Sequence, residues 1–405
     1  MDLTALHKLL KHQQPGYSLE QAFYVHEEIF QFEWEHIWKK YWLFAGTAAD
    51  IPRPGDYFLY QAGRDSLIII RDKQGVIHAH YNTCRHRGSL ICSAERGQVP
   101  KLMCPYHAWV YELDGRLIKA RLMPEDFDGK AHSLPRAQLA IVDGFIFVSL
   151  ADHPPAMDQL KADFVPYLKP FSIDQAKVAY RASYSVRSNW KLVGENFREC
   201  YHCGPAHPEY CGAVIGASLV ESTAEVLAER QAAWKTKGLA IDTVPFTADS
   251  FHFAIRYPLR PGVKSYSVDG QAVSRPMGQH TDHDAGVLGM VVYPNFWMDA
   301  VSDYLWTMRL TPITAQETHI ELAWLVDKDA IEGKDYEVQR LTDFWRITGE
   351  QDWKLCEDNF MGIESSRYRP GPYAPAEADV ADYVAWYLKR MNEGLQKSLQ
   401  MTGNN

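Results

Sequence analysis

Cys84-Arg85-His86 and, seventeen residues further on, Cys104-Pro105-Tyr106-His107 set two cysteines and two histidines in a C-x-H and C-x-x-H pair. With 7 Cys and 16 His in 405 residues, one fixed spacing of four such residues arises by chance at roughly 1 in 5,000, so the pair reads as a metal site. Around it, from about Tyr41 to Leu150, the chain is β-rich. Ser66 to Ile70 and Val76 to Tyr81 are short β-rich runs separated by the turn signal Asp72-Lys73-Gln74-Gly75. The four candidate ligands therefore lie in a small all-β domain.

Two donor chemistries fit these residue types. A Cys2His2 zinc site is one, although zinc motifs typically keep their two Cys two to four residues apart. The other is a Rieske-type [2Fe-2S] cluster, which binds one iron through two thiolates and the other through two imidazoles, each loop supplying one ligand to each iron. Neutral imidazoles in place of anionic thiolates raise the potential to roughly -150 to +300 mV, against about -400 mV for all-thiolate ferredoxins. Cys84-Arg85-His86-Arg87-Gly88 and Cys104-Pro105-Tyr106-His107-Ala108-Trp109, followed by a turn at Asp114-Gly115, resemble the Rieske domain of ring-hydroxylating and related Rieske oxygenases. The resemblance implies that Cys84, His86, Cys104 and His107 hold the cluster. Cys92, between the loops, fits no ligand position and reads as a buried small hydrophobe.

A second constellation is Glu199-Cys200-Tyr201-His202-Cys203-Gly204-Pro205-Ala206-His207. The spacing predicts Glu199 and His202 on one helix face, with Gly204-Pro205 breaking the helix so that His207 turns back toward His202. Two imidazoles plus one carboxylate make the facial triad that holds Fe(II) and leaves positions open for dioxygen. H-x4-H alone is a weak motif, and spacing leaves the carboxylate open among Glu350, Asp352, Glu357 and Asp358. Asn189-Trp190-Lys191-Leu192 and Glu195-Asn196-Phe197 resemble the iron-binding segment of the same family. Gln351-Asp352-Trp353-Lys354-Leu355-Cys356-Glu357, with Gly362 and Arg369-Pro370-Gly371-Pro372 after it, is similar to the family's C-terminal segment. The resemblance implies His202, His207 and Asp352 as iron ligands. It also implies that Glu199, where most members carry Asp, bridges to a cluster His of the adjacent subunit, and hence a homotrimer in which electrons pass between chains.

At this length two domains are expected. The fold class reads as α+β: a small all-β Rieske [2Fe-2S] domain plus a larger catalytic domain with an antiparallel sheet flanked by helices, helix-grip-like. Residues 1–40 are expected as a helical arm packing on the catalytic domain, opened by a capping box at Ser18-Leu19-Glu20-Gln21 and carrying the apolar series Phe30, Trp34, Ile37, Trp38. The Rieske domain is expected over 41–153 and the catalytic domain over 154–405. Strand-like stretches run from Val178 to Val186, Leu288 to Trp297, Tyr304 to Leu310 and His319 to Val326, and a last helix starts near Glu377. Arg260 to Asp284 reads as a long solvent loop, and His280-Thr281-Asp282-His283 within it has nothing to fix a metal geometry. A net charge of -9 argues against nucleic acid. No run of about 18 apolar residues occurs and the N-terminus has no leader pattern, so a cytoplasmic, non-membrane protein is expected. Seven Cys are too sparse for a disulfide scaffold, so metal ligation or burial is expected before cross-linking.

Together the two constellations imply an oxygenase component that uses O2 and draws electrons from a separate flavin- or ferredoxin-type NAD(P)H reductase, since the chain has neither a G-x-G-x-x-G fingerprint nor a ferredoxin Cys cluster. Glu195-Asn196-Phe197-Arg198-Glu199-Cys200-Tyr201-His202-Cys203 looks closest to the Rieske monooxygenases of quaternary amines. That implies N-methyl hydroxylation of a small betaine such as glycine betaine or stachydrine, with loss of formaldehyde. Choline- or carnitine-type monooxygenation, and aromatic dioxygenation or O-demethylation, are alternatives on the same scaffold. An electron carrier without oxygenase chemistry and a zinc-binding interaction protein are more distant ones. Tyr293, Phe296, Trp297 and Trp306 are candidates for an aromatic cage around the ammonium.

Overall fold

The computed structural model describes residues 2–219 and 223–403. It divides into two compact units: Lys40–Met157 together with Ile173–Gln175, and the remainder. The smaller unit thus runs past the expected limit at residue 153 and takes in a second, short segment.

In the smaller unit every strand pairing is antiparallel. Its strands are β1 (Leu43–Thr47), β2 (Asp56–Ala62), β3 (Asp65–Arg71), β4 (Ile77–Tyr81), β5 (Arg96–Gln98), β6 (Leu102–Met103), β7 (Val110–Tyr111), β8 (Leu117–Lys119), β9 (Gln138–Val142) and β10 (Phe145–Ser149). They form a four-stranded sheet in the order β4-β3-β2-β5 and two three-stranded sheets, β6-β7-β8 and β1-β10-β9. The turn between β3 and β4 is fixed by Asp72, whose Oδ1 accepts from the backbone N–H groups of Gln74 and Val76. Gly115 has φ +87°, and a Cβ there would stand 2.6 Å from the His80 ring, so no other residue fits the Asp114-Gly115 turn. Ile68, Ile70, Trp109, Tyr111 and Leu113 pack as one core around Cys84, Cys92 and Cys104. Burial pushes the Cys92 thiol up to about 11, which keeps it an inert filler.

The larger unit is organised by a six-stranded antiparallel sheet of β11 (Lys177–Val186), β12 (His252–Tyr257), β13 (Val287–Val292), β14 (Phe296–Val301), β15 (Tyr304–Thr314) and β16 (Glu317–Val326), in the order β11-β16-β15-β14-β13-β12. The single strand expected from Leu288 to Trp297 is a hairpin, β13 and β14 joined at Tyr293-Pro294-Asn295. Pro294 has no N–H for a ladder, so the chain turns there although the residues around it stay apolar. Helices in chain order are α1 (Leu3–His12), α2 (Gln21–Val25), α3 (Glu27–Glu33, continued as a π-helix to Trp38), α4 (Asp158–Leu168), α5 (Trp190–Asn196), α6 (Cys203–Ala206), α7 (Pro208–Ala213), α8 (Ala224–Thr236), α9 (Val338–Ile363) and α10 (Ala378–Gly403).

The expected capping box does not form. Ser18 Oγ meets Tyr368 Oη at 3.1 Å, Gln21 donates to the Ile363 carbonyl, and Glu20 caps α2 without a side-chain bond. These residues face long-range partners because the arm is packed rather than free. The reading of Arg260 to Asp284 as a solvent loop is corrected too. Ser265, Tyr266, Val273 and Met277 are buried, because the Asp303 carboxylate collects Ser265 Oγ and the N–H groups of Val273 and Ser274. Among the described residues no helix is long and apolar enough to cross a membrane.

Candidate metal centres and substrate cavity

In the smaller unit, two turns of matching design carry the four residues. Cys84 N–H donates to Ser89 O and Gly88 N–H returns to Cys84 O; likewise Cys104 N–H donates to Trp109 O and Ala108 N–H returns to Cys104 O. The fourth residue after each Cys is left-handed, Gly88 at φ +78° and Ala108 at φ +55°. Both thiols are buried and neither is in a disulfide, whereas His86 is exposed and His107 half-buried. The imidazoles lie 4.6 Å apart by ring centroid, and His86 stacks on Trp109. Tyr111 Oη sits 3.3 Å from Cys84 Sγ and accepts from Arg85 N–H. Burial pushes the Cys84 thiol up, and the Tyr111 hydroxyl opposes that by stabilising thiolate.

Two buried thiols behind two outward imidazoles, brought by each loop in Cys-then-His order, fit a cluster whose irons are bound by sulfur on the inner side and nitrogen on the outer. They do not gather as a single-ion site: among the described residues the group assembled for one ion is His202, His207 and Asp352. That argues against zinc at the Cys and His loops.

The second centre is built across the larger unit. Asn189 caps α5 through its own side chain and donates to the carbonyls of Tyr24 and Ala315. The buried Glu33 carboxylate receives Trp190 Nε1 at 2.8 Å, Lys191 Nζ at 2.6 Å and Tyr387 Oη at 2.6 Å. Glu195 accepts from Tyr24 Oη, its carboxyl pushed up to about 7 by burial against that bond and Lys191. Residues 189–195 are thus clamped, and they aim the irregular segment that follows. Glu199 and His202 do not share a helix, contrary to expectation: α5 ends at Asn196, and Glu199 lies in the connection to α6. Glu199 is instead turned back on itself, Oε2 accepting from the N–H groups of Tyr201 and His202 and Oε1 meeting His202 Nδ1 at 2.5 Å. Nor does Gly204-Pro205 break a helix; both lie within the single turn α6, and His207 stands between α6 and α7.

His202 Nε2 and His207 Nε2 converge on Asp352 Oδ1, at 3.3 and 2.9 Å. All three ligand atoms lie within 4.8 Å of one another. Burial lowers the pKa of His202, but the carboxylates of Asp352 and Glu199 outweigh it and raise it to about 9; His207 is raised on the same balance. The far nitrogens are held as well, His202 Nδ1 by Glu199 and His207 Nδ1 by Gln351 Oε1 at 2.7 Å, the outer support that fixes a metal-binding imidazole. Of the four carboxylates left open by spacing, Asp352 alone turns inward from α9. Glu350 faces Arg346, Asp358 pairs with Lys354, and Glu357 accepts from Arg187 N–H. The donor set therefore fits a 2-His-1-carboxylate iron, which when bound supplies the dioxygen chemistry.

Beside it lies a cavity of about 720 Å³ including its open mouth, lined by Phe197, Tyr210, Tyr257, Trp297, Trp306, Trp345 and Asp299 among others. Of the four aromatic candidates, Trp297 and Trp306 line it. Tyr293 and Phe296 do not: both are fully buried, and Tyr293 packs on Tyr383 and Trp386. Cys200 and Cys203, which flank His202 and line the cavity, are joined as a disulfide, so one pair of the seven Cys is cross-linked after all. Asp299, Tyr257, Tyr210, Trp345 and Gln351 also stand at the site, and no sequence motif marks them for it. A lone acidic residue inside Phe296-Trp297-Met298-Asp299-Ala300-Val301 was the available signal.

Residues 41–137 match the Rieske [2Fe-2S] domain and residues 173–393 match the catalytic domain of the ring hydroxylating alpha subunit. The chain belongs to the Rieske non-haem iron oxygenase family as an alpha-type oxygenase subunit, with a Rieske [2Fe-2S] cluster and a mononuclear iron as cofactors and O2 as cosubstrate. Such a subunit takes its electrons from a separate reductase. Within the family, the chain is 39% identical over 394 residues to the glycine betaine monooxygenase oxygenase subunit of Pseudomonas aeruginosa, covering 96% of this chain and 92% of that one. It is 40% identical over 402 residues to the corresponding subunit of Chromohalobacter salexigens, covering 96% and 89%. Its fold is that of the quaternary ammonium Rieske monooxygenase CntA, with a TM-score of 0.73 at 22% identity over 95% of this chain and 98% of that one.

Proposed function

We propose that the protein hydroxylates an N-methyl carbon of a small quaternary amine, with glycine betaine or another small betaine as the first candidate. O2, two electrons and two protons give one hydroxyl on the methyl carbon and one water; the resulting carbinolamine releases formaldehyde and the demethylated amine. In this reading Cys84, His86, Cys104 and His107 hold the cluster, and His202, His207 and Asp352 hold the iron. The reductase is a flavin- or ferredoxin-type NAD(P)H enzyme, and the assembly is a cytoplasmic homotrimer. Glu199, already bonded to the ligand His202, relays electrons arriving from the cluster of a neighbouring subunit.

The observation that carries this reading is the cavity at the ligand triad, walled by the indoles of Trp297, Trp306 and Trp345 and the phenols of Tyr210 and Tyr257. Trp306 and Trp345 stack at 4.2 Å between centroids. A quaternary ammonium has no N–H to donate and is held by aromatic faces. The relatives named for glycine betaine point the same way. The choline, carnitine and aromatic alternatives share every ligand, so a product assay decides. Holoenzyme with reductase and NADH is expected to release formaldehyde from glycine betaine, stachydrine or carnitine. No formaldehyde from any of them, with an aromatic acid oxidised instead, would overturn the reading.

A further inference from the structure

Asp299 lies on β14, cross-strand from Gly289 on β13, and both line the cavity. Its Oδ2 accepts from Tyr257 Oη at 3.1 Å, and Tyr257 Oη is 2.7 Å from Tyr266 Oη. Oδ1 stands on the Gly289 side, where a Cβ at residue 289 would come within 3.1 Å of it. Burial pushes the Asp299 carboxyl up to about 8, and the hydrogen bond from Tyr257 opposes that only in part. Among the described residues, no Lys or Arg lines the cavity. The other carboxylates there, Glu199 and Asp352, are engaged by His202 and His207. An enclosed carboxyl is costly to ionise unless a cation joins it, and strongly perturbed groups in clefts mark functional positions.

We propose that Asp299, oriented by Tyr257 and Tyr266, is the specificity-determining residue that selects a cationic substrate, its carboxylate serving as counter-ion to the ammonium head group. The proposal rests on the quaternary-amine reading above and names the residue that enforces it. A trimethylammonium has no N–H to donate, so its counter-ion must find its hydrogen bond elsewhere. The Tyr257 hydroxyl supplies one to Oδ2, and Oδ1 is left on the cavity side. Charge attraction from Asp299 and the aromatic walls of Trp297, Trp306 and Trp345 then act on the same head group, whereas an uncharged molecule of equal shape gains only the packing.

The test compares wild type and Asp299→Asn as reductase-coupled holoenzymes, with glycine betaine as substrate and 3,3-dimethylbutyrate, its uncharged-head carbon isostere, as competitor. In the variant, KM for glycine betaine is expected to rise roughly 30-fold or more, the loss typical of truncating one partner of a buried charge pair, with kcat changed only a few-fold. Inhibition by the isostere should stay level or tighten. Cluster and iron content equal to wild type with an unchanged KM would overturn the proposal. Should Asp299→Asn fail to load iron, Tyr257→Phe serves in its place. It removes only the hydroxyl, so KM at neutral pH should rise and the difference should shrink at alkaline pH; an unchanged KM would again overturn the proposal. A wild-type enzyme that binds no quaternary amine would overturn both readings, whereas an unchanged KM in the variants overturns this one alone.

Discussion

The candidate cluster site of the smaller unit and the candidate iron site of the larger one are assembled over different lengths of chain. Cys84, His86, Cys104 and His107 come from two turns of similar hydrogen-bond pattern, each closed within six residues. His202 and His207 are met by Asp352, 145 residues beyond His207, and their approach is set by a clamp on α5 that reaches back to Glu33. A site made of local turns depends on backbone conformation at a few positions. A site made of distant segments depends on the packing of the whole unit, and its failure should show in stability as well as in metal content.

The sharpest break of that comparison is a crossed loss. Asp352→Ala should remove the mononuclear iron and lower turnover on the order of 1,000-fold or more while the EPR spectrum of the reduced cluster stays that of wild type. Cys104→Ser should abolish the cluster signal and turnover while one iron per chain remains. Metal analysis beside EPR checks both, and a variant that loses both centres would mean the sites are not independent.

Next in size is Glu33→Gln. It leaves Lys191 as a buried charge without its anion, at a cost of roughly 3–5 kcal/mol. Thermal unfolding should reveal this, with a lower Tm and weakened iron retention although residue 33 touches no ligand. Gln351→Ala releases His207 Nδ1 and should weaken iron binding by about 10- to 100-fold, measured by competition with a chelator; unchanged retention would deny Gln351 its orienting role. Smallest is Ala108→Gly, which removes a left-handed strain of roughly 1 kcal/mol. It should raise the unfolding midpoint slightly and leave the cluster spectrum alone, a response with no counterpart in the iron site.

The same contrast explains what could be read from sequence. The cluster residues stand close together in fixed spacings, and turns of that kind carry their geometry in the local chain. The strands were visible by their apolar runs, except where Pro294 turns one run into β13 and β14. His202 and His207 were visible as a pair, but not their setting. Three-residue spacing predicts a shared helix face, whereas Glu199 folds back on the N–H groups of Tyr201 and His202. Asp352 could not be picked out by spacing, because Glu350, Glu357 and Asp358 lie on the same helix and differ from it only in what they face. Tyr293 and Phe296 share apolar strand residues with Trp297, and alternation and burial alone do not say which side chains border a cavity. Arg260 to Asp284 reads as polar because its polar groups satisfy one another and Asp303 inside the fold, a pairing no composition reveals.

Iron and acid-labile sulfide content of anaerobically purified protein, with EPR of the dithionite-reduced sample, distinguishes a cluster and a separate iron on one chain from a cluster alone. About three irons and two sulfides per chain are expected, with the low average g value of a cluster with two imidazole ligands. About two irons and two sulfides in fully loaded protein, unchanged in His202→Ala, would contradict that by showing that His202, His207 and Asp352 hold no iron.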